Sequence, residues 1–186
     1  KNRMMLSLAV LGYWMSVGLV NALPVVGQVV TTLCIPAFSV SLMNACRLIE
    51  RGELLTPAVL LSGFKDNLRT LIILGALYLV LALAILGLST LIDDGALFQY
   101  FVLRKSSGDD ETVRREMMTA SQVALVFFIP VMMAYWYAPV LAAWHGLSPA
   151  KALFFSFVAC LRNWRVFILY GLTVMIAGVL VPGFVL

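Results

Sequence analysis

The chain has 186 residues, of which 62% are hydrophobic and 12% charged, and 13 Lys and Arg against 9 Asp and Glu give a formal net charge of +4. Mean hydropathy is +1.00. A soluble domain is about 45–50% apolar and about 25% charged, so too few charges remain here to cover a water-facing surface, and a soluble globular domain is excluded in favour of a chain whose solvent is the bilayer.

A helix needs about 20 mostly apolar residues to cross the hydrocarbon core. Five stretches meet that need, at about 4–23, 25–46, 70–92, 122–144 and 166–186, and none contains an Asp, Glu, Lys or Arg. They are apolar on nearly every face rather than alternating, which excludes a membrane barrel. The expected fold is therefore all-α, a single polytopic transmembrane helical domain over 1–186. The first run leads straight into another apolar run, unlike a cleaved leader followed by a soluble domain, so it reads as a stable anchor. Asn21, Pro24 and Gly27 supply turn chemistry for a tight hairpin between the first two spans.

After the second span, Gly52 ends a helix and Thr56-Pro57 starts another, since Thr or Ser caps a helix and proline suits its first turn. The same punctuation follows the fourth span at Gly146 and Ser148-Pro149. Two amphipathic interfacial helices are predicted, at about 57–69 and 149–163. Between the third and fourth spans lies an apolar patch of Leu97, Phe98, Tyr100, Phe101, Val102 and Leu103, too short to span and suited to an interface. Asp109, Asp110 and Glu111 then precede Arg114 and Arg115, a pattern that starts a helix by capping and ion pairing.

Short cytoplasmic loops collect positive charge. One side of the predicted topology holds nine basic residues against three acids, whereas the segment from Asp93 to Glu116 holds four basic residues and six acids. The start of the chain is accordingly expected in the cytoplasm. Cys46 and Cys160 fall on that side and Cys34 within a span, so no extracellular disulfide framework is expected.

The chain also repeats. Ile35-Pro36 in the second span recurs as Ile129-Pro130 in the fourth. Each leads to the glycine and Thr/Ser-Pro connection, to a Leu-Arg pair (Leu68-Arg69, Leu161-Arg162), and to an apolar span carrying Gly75 and Tyr78 or Tyr170 and Gly171. Both copies run in the same direction, which predicts a pseudo-axis along the membrane normal. Asn2-Arg3 resembles Asn163-Trp164-Arg165 as the start of a third, partial copy, so a sixth span is expected in the natural protein.

The Ile-Pro span, the Gly to Ser-Pro connection and the Phe-rich segment ending in Asn163-Trp164-Arg165 resemble an uncharacterised family of proteobacterial six-span inner-membrane proteins. That family is distantly similar to the membrane domain attached to some glycerophosphodiester phosphodiesterases. The resemblance implies a bacterial inner-membrane location, and it carries over no catalytic residue. The metal-binding catalytic barrel of those enzymes has no counterpart in this sequence.

Small residues let membrane helices approach closely. Ala37, Ser41 and Ala45 make one such ridge, Ala134, Ala138 and Ala142 another, with Gly12 and Ser16 in the first span and Gly171 and Gly178 in the fifth. Pro36, Pro130 and Pro139 mark bends. Tyr135, Trp136 and Tyr137 lie between the last two prolines, deeper than a headgroup belt, where hydroxyls need partners. Asn44, Tyr78, Tyr135 and Tyr137 are the candidate polar seam or cavity. Arg47, Arg51, Lys65, Arg69, Lys151, Arg162 and Arg165 form a basic face suited to anionic lipid headgroups.

No span contains an ionisable carboxylate or base of the kind that marks ion-coupled pumps. One His145 and three scattered cysteines make no metal site, and neither a phosphate loop nor an activated nucleophile is present. No cofactor, catalytic role or nucleic-acid partner is therefore expected. The leading expectation is a non-enzymatic scaffold or regulatory subunit with a protein partner in the membrane. The alternative is a passive carrier or conduit for lipid or a small amphipathic solute, through a cavity near the pseudo-axis.

Overall fold

Inside a bilayer no water is available to backbone N–H and C=O groups, so these apolar runs close their hydrogen bonds within themselves as helices. The computed structural model describes residues 2–23, 26–65, 67–103 and 111–185, with no strand among them. The helices are α1 (Asn2–Asn21), α2 (Val26–Glu50), a 3-10 helix (Pro57–Phe64), α3 (Leu68–Asp93), α4 (Ala96–Phe101), α5 (Glu111–Tyr135), α6 (Ala138–His145), α7 (Pro149–Arg162) and α8 (Trp164–Val185). This is an all-α polytopic helical bundle.

Among the described residues, α2, α3 and the α5–α6 unit are long and apolar enough to cross a membrane, and the α7–α8 pair makes a fourth candidate if taken as one bent span. That is three or four crossings where the sequence predicts five. α1 is helical over 20 residues, but its described apolar part, Val10–Asn21, is short by itself. The expected span at 122–144 begins earlier, because an Arg115–Glu111 ion pair of 2.8 Å closes the first turn of α5. Glu111–His145 covers 35 residues, about 50 Å at 1.5 Å per residue, so its polar first turns extend beyond a core about 30 Å thick. Pro24, Val25, Asp66, Asp109 and Asp110 lie outside the described residues.

The repeated connection has the same backbone form in both copies. Gly52 and Gly146 have φ of +73° and +61°, a conformation glycine adopts without strain. Thr56 and Ser148 are extended, and Pro57 and Pro149 occupy the first turn that follows. Neither Thr56 nor Ser148 makes a side-chain capping bond.

The helices that follow differ. The element expected over 57–69 is a 3-10 helix of only eight residues, because its backbone is pressed onto α2. Gly63 N–H donates to Ser41 Oγ at 2.9 Å, and a Cβ on Gly63 would overlap the Ala37 carbonyl oxygen. Asn67, with φ of +51°, then turns the chain into α3. Its Nδ2 donates to the Ala142 carbonyl at 3.2 Å and its Oδ1 accepts from Thr70 Oγ1 at 2.8 Å. Leu68-Arg69 therefore opens α3, whereas Leu161-Arg162 closes α7; the pair that matches in sequence falls on different elements. The matching corners are Asn67 and Asn163. At Asn163 the chain bends by 78° between α7 and α8, so if one of them crosses the bilayer, the other lies near its plane.

The core is built from small residues at close quarters. Ala37 and Val40 of α2, Leu71 and Leu74 of α3, Ala138 and Ala142 of α6, and Ala152 of α7 form one buried cluster. Lipid tails are as apolar as leucine, so tight packing rather than hydrophobic burial holds such helices together. Gly75 brings α3 against the backbone of Leu33, where a Cβ would lie 2.7 Å from Leu33 Cα. The expected ridges of α2 and α6 are buried at Ala37, Ser41, Ala45, Ala138 and Ala142. Gly171 and Gly178 meet nothing within 4 Å, so among the described residues the ridge expected on the fifth span packs against no helix of this chain.

Candidate functional site

Proline has no N–H, so it leaves the carbonyl four residues before it without a helical donor. Pro36 does this to Thr32 within α2, and Pro139 does it to Tyr135. All four residues line a cavity of about 400 Å³, together with Ile35, Ser39, Met43, Tyr78, Met132 and Trp136. Ligand pockets fall between about 300 and 1,000 Å³.

The two prolines act differently. Pro36 lies inside continuous α2, while Pro139 sits in the first turn of α6, after a break at Trp136 and Tyr137. Here the expected bend is a full interruption, because a side chain from α7 has entered the helical ladder. Ser156 Oγ accepts from Tyr137 N–H at 2.9 Å and donates to the Met133 carbonyl at 2.9 Å. These two groups would bond each other in an unbroken helix.

Aromatic rings fill the adjacent space. Tyr78 meets Tyr135 edge-on at 5.2 Å and Phe128 at 5.9 Å. The Tyr135 hydroxyl is buried with no hydrogen-bond partner among the described residues, a state that costs about 1–3 kcal/mol. The hydroxyls of Ser39 and Tyr78 also make no hydrogen bond within the described chain, whereas Thr32 Oγ1 donates to the Gln28 carbonyl at 2.7 Å.

Trp136 and Met132 are shared with a second hollow, an apolar groove of about 760 Å³ between α5, α7 and the start of α8, which also touches Leu125, Ile129, Trp164 and Ile168. Trp136 in turn meets Phe167 at 5.3 Å and Tyr170 at 6.5 Å, so the same ring borders both hollows and contacts α8.

Of the four residues proposed for a polar seam, Tyr78 and Tyr135 line the cavity and the other two stand apart from it. Asn44 joins three elements, donating to Ser62 Oγ at 3.0 Å and accepting from Trp144 Nε1 at 2.9 Å. Tyr137 packs on Phe167 at 6.2 Å. The seven basic residues are all exposed. Arg47 stacks over Trp144 at 4.9 Å and Arg165 over Trp164 at 5.6 Å. Arg51, Lys65, Arg69, Lys151 and Arg162 are spread over the ends of α2, the 3-10 helix, α3 and α7.

Ser39, Ser156 and Asn67 are absent from the sequence-derived candidates, as is the structural role of Asp93. Ser156 had a legible signal, because Ala152, Ser156 and Cys160 form a small-residue stripe at every fourth position, and all three are buried. Asp93 is 3% exposed and caps α4, its carboxylate accepting from Leu97 N–H at 2.7 Å and Gly95 N–H at 3.2 Å. Among the described residues, no group of three His, Cys, Asp or Glu is arranged to hold a metal.

These features define an integral membrane protein with an uncharged cavity between proline-bearing helices. The chain is 37% identical over 166 residues to a probable inner membrane protein of Burkholderia thailandensis, a match that covers 86% of this chain and 62% of that protein. The chain thus spans less than two thirds of the length of this curated relative. No family model matches it, and no solved structure matches it.

Proposed function

We propose that this protein is a non-enzymatic carrier of an amphipathic molecule in the bacterial inner membrane. The observation that carries this reading is the cavity of about 400 Å³ between α2, α3 and the broken α5–α6 unit, with hydroxyls on an otherwise apolar wall. Similarity to a probable inner membrane protein supports the location, and the basic excess in the loops beside Arg47 to Arg69 supports a cytoplasmic start for the chain. The six-span family distantly similar to the membrane domain of glycerophosphodiester phosphodiesterases is the proposed kinship. The test is extraction and mass analysis of small molecules retained by the purified full chain. A specific amphiphile retained by the native protein and lost from Ser39→Phe, which fills the cavity, is the expected result. Equal retention by both proteins would contradict it.

A scaffold or regulatory role is supported by a separate observation. Residues 171–178 of α8 are exposed on every side, so this segment of the helix offers its whole circumference to lipid or to a protein partner. Site-directed crosslinking from Met175 tests this role, which predicts one discrete protein adduct; adducts with lipid alone would oppose it. The exposed basic residues are proposed to bind anionic headgroups, and retention of phosphatidylglycerol should then fall in Arg47→Gln/Arg51→Gln.

A further inference from the structure

The cavity and the apolar groove share a wall, and their chemistries differ. None of the ten residues lining the cavity is charged, so an ionic group placed there would lose its hydration without gaining a counter-charge. Ser39 and Tyr78 contribute hydroxyls that make no hydrogen bond within the described chain, and a free hydroxyl is a donor in search of an acceptor. The groove is lined by apolar side chains and by Cys160. Met132 and Trp136 border both. Methionine is unbranched and adaptable, and Trp136 sits at the break where Ser156 has replaced the direct Tyr137 to Met133 backbone bond. The two hollows thus share one pliable side chain and one ring on an interrupted turn.

We propose that the two hollows form one bipartite site for a neutral amphiphile whose head carries hydrogen-bond acceptors. The head lies against Ser39 and Tyr78, and the tail passes Met132 and Trp136 into the groove. This inference rests on the carrier reading and adds the charge, polarity and orientation of the cargo.

The test uses the full chain in lipid nanodiscs, titrated with two probes brominated along the chain, methyl stearate and stearyl sulfate. Binding is read by native mass measurement of the chain with all four tryptophans kept, in which the bromines mark the bound probe. The expected result is saturable binding of the methyl ester, weakened at least fivefold by Tyr78→Phe or by Ser39→Ala, with the sulfate binding at least tenfold more weakly. Equal saturable binding of ester and sulfate, or no effect of either substitution, overturns the neutral-head assignment and leaves the carrier reading standing. Absence of saturable binding by either probe overturns both.

Discussion

Ser156 stands between two backbone groups of another helix, accepting from Tyr137 N–H and donating to the Met133 carbonyl, each at 2.9 Å. A hydroxyl from α7 thereby takes the place of one rung of the helical ladder and holds α5 and α6 as separate pieces. The cavity owes its shape to this, since Tyr135 precedes the break, Trp136 lies in it and Pro139 follows it.

Ser156→Ala removes both bonds at a fully buried position. Loss of a buried partner costs about 1–3 kcal/mol, unless Tyr137 N–H and Met133 C=O close on each other and straighten the helix. Thermal unfolding in detergent should show a lowered midpoint, or tryptophan emission should shift as Trp136 moves. A protein unchanged in both respects would show that Ser156 does not hold the break.

The helical membrane character of the chain was legible because it follows from composition and from long uncharged runs, which any bilayer-solvated chain must fold into helices. The connections were legible too, since glycine followed by Thr/Ser-Pro has a narrow set of backbone meanings, and Gly52 and Gly146 adopt positive φ. The helix after Pro57 was not, because its shortness depends on Gly63 touching α2, a contact between residues far apart in sequence. The cavity was half legible for the same reason. Tyr78 and Tyr135 announce themselves as polar residues at depth, whereas Ser39 and Ser156 gain their roles only from neighbours on other helices.

Gly63 and Gly75 lie where a Cβ would meet backbone of α2, at Ala37 and at Leu33. Alanine at either position forces α2 away from its neighbour, and the melting midpoint should fall, with more than 1 kcal/mol lost, as is usual for overpacking, which costs about 1–3 kcal/mol. Gly87 has open space around it, so Gly87→Ala should be neutral or stabilising by about 0.5–1 kcal/mol. The three variants compared in one thermal series separate close approach from helix propensity.

Asp93 should behave as a cap rather than a surface charge. Asp93→Ala leaves the N–H groups of Gly95 and Leu97 without their acceptor, a loss of about 0.5–2 kcal/mol. Protease sensitivity within Ala96–Phe101 should rise in step, and Asp93→Asn should recover part of the loss through its amide oxygen.

The proposed orientation makes Glu53 and Glu116 face opposite compartments. In a Cys46→Ala background, Glu116→Cys should react with an impermeant maleimide added outside cells. Glu53→Cys should react only after the membrane is opened. The reverse pattern would invert the topology.

The central claim is that a guest molecule occupies the space between α2, α3 and the α5–α6 break. The most direct measurement replaces Met43, which also lines the cavity, by its photoreactive diazirine analogue, with position 91 as reference. Leu91 is 84% exposed and reports ordinary lipid contact. Illumination in native membranes followed by mass analysis should give, at position 43, an amphiphile adduct enriched over bulk phospholipid relative to position 91. The same lipid mixture at both positions, or crosslinks from position 43 only to neighbouring helices of the chain, would contradict the account.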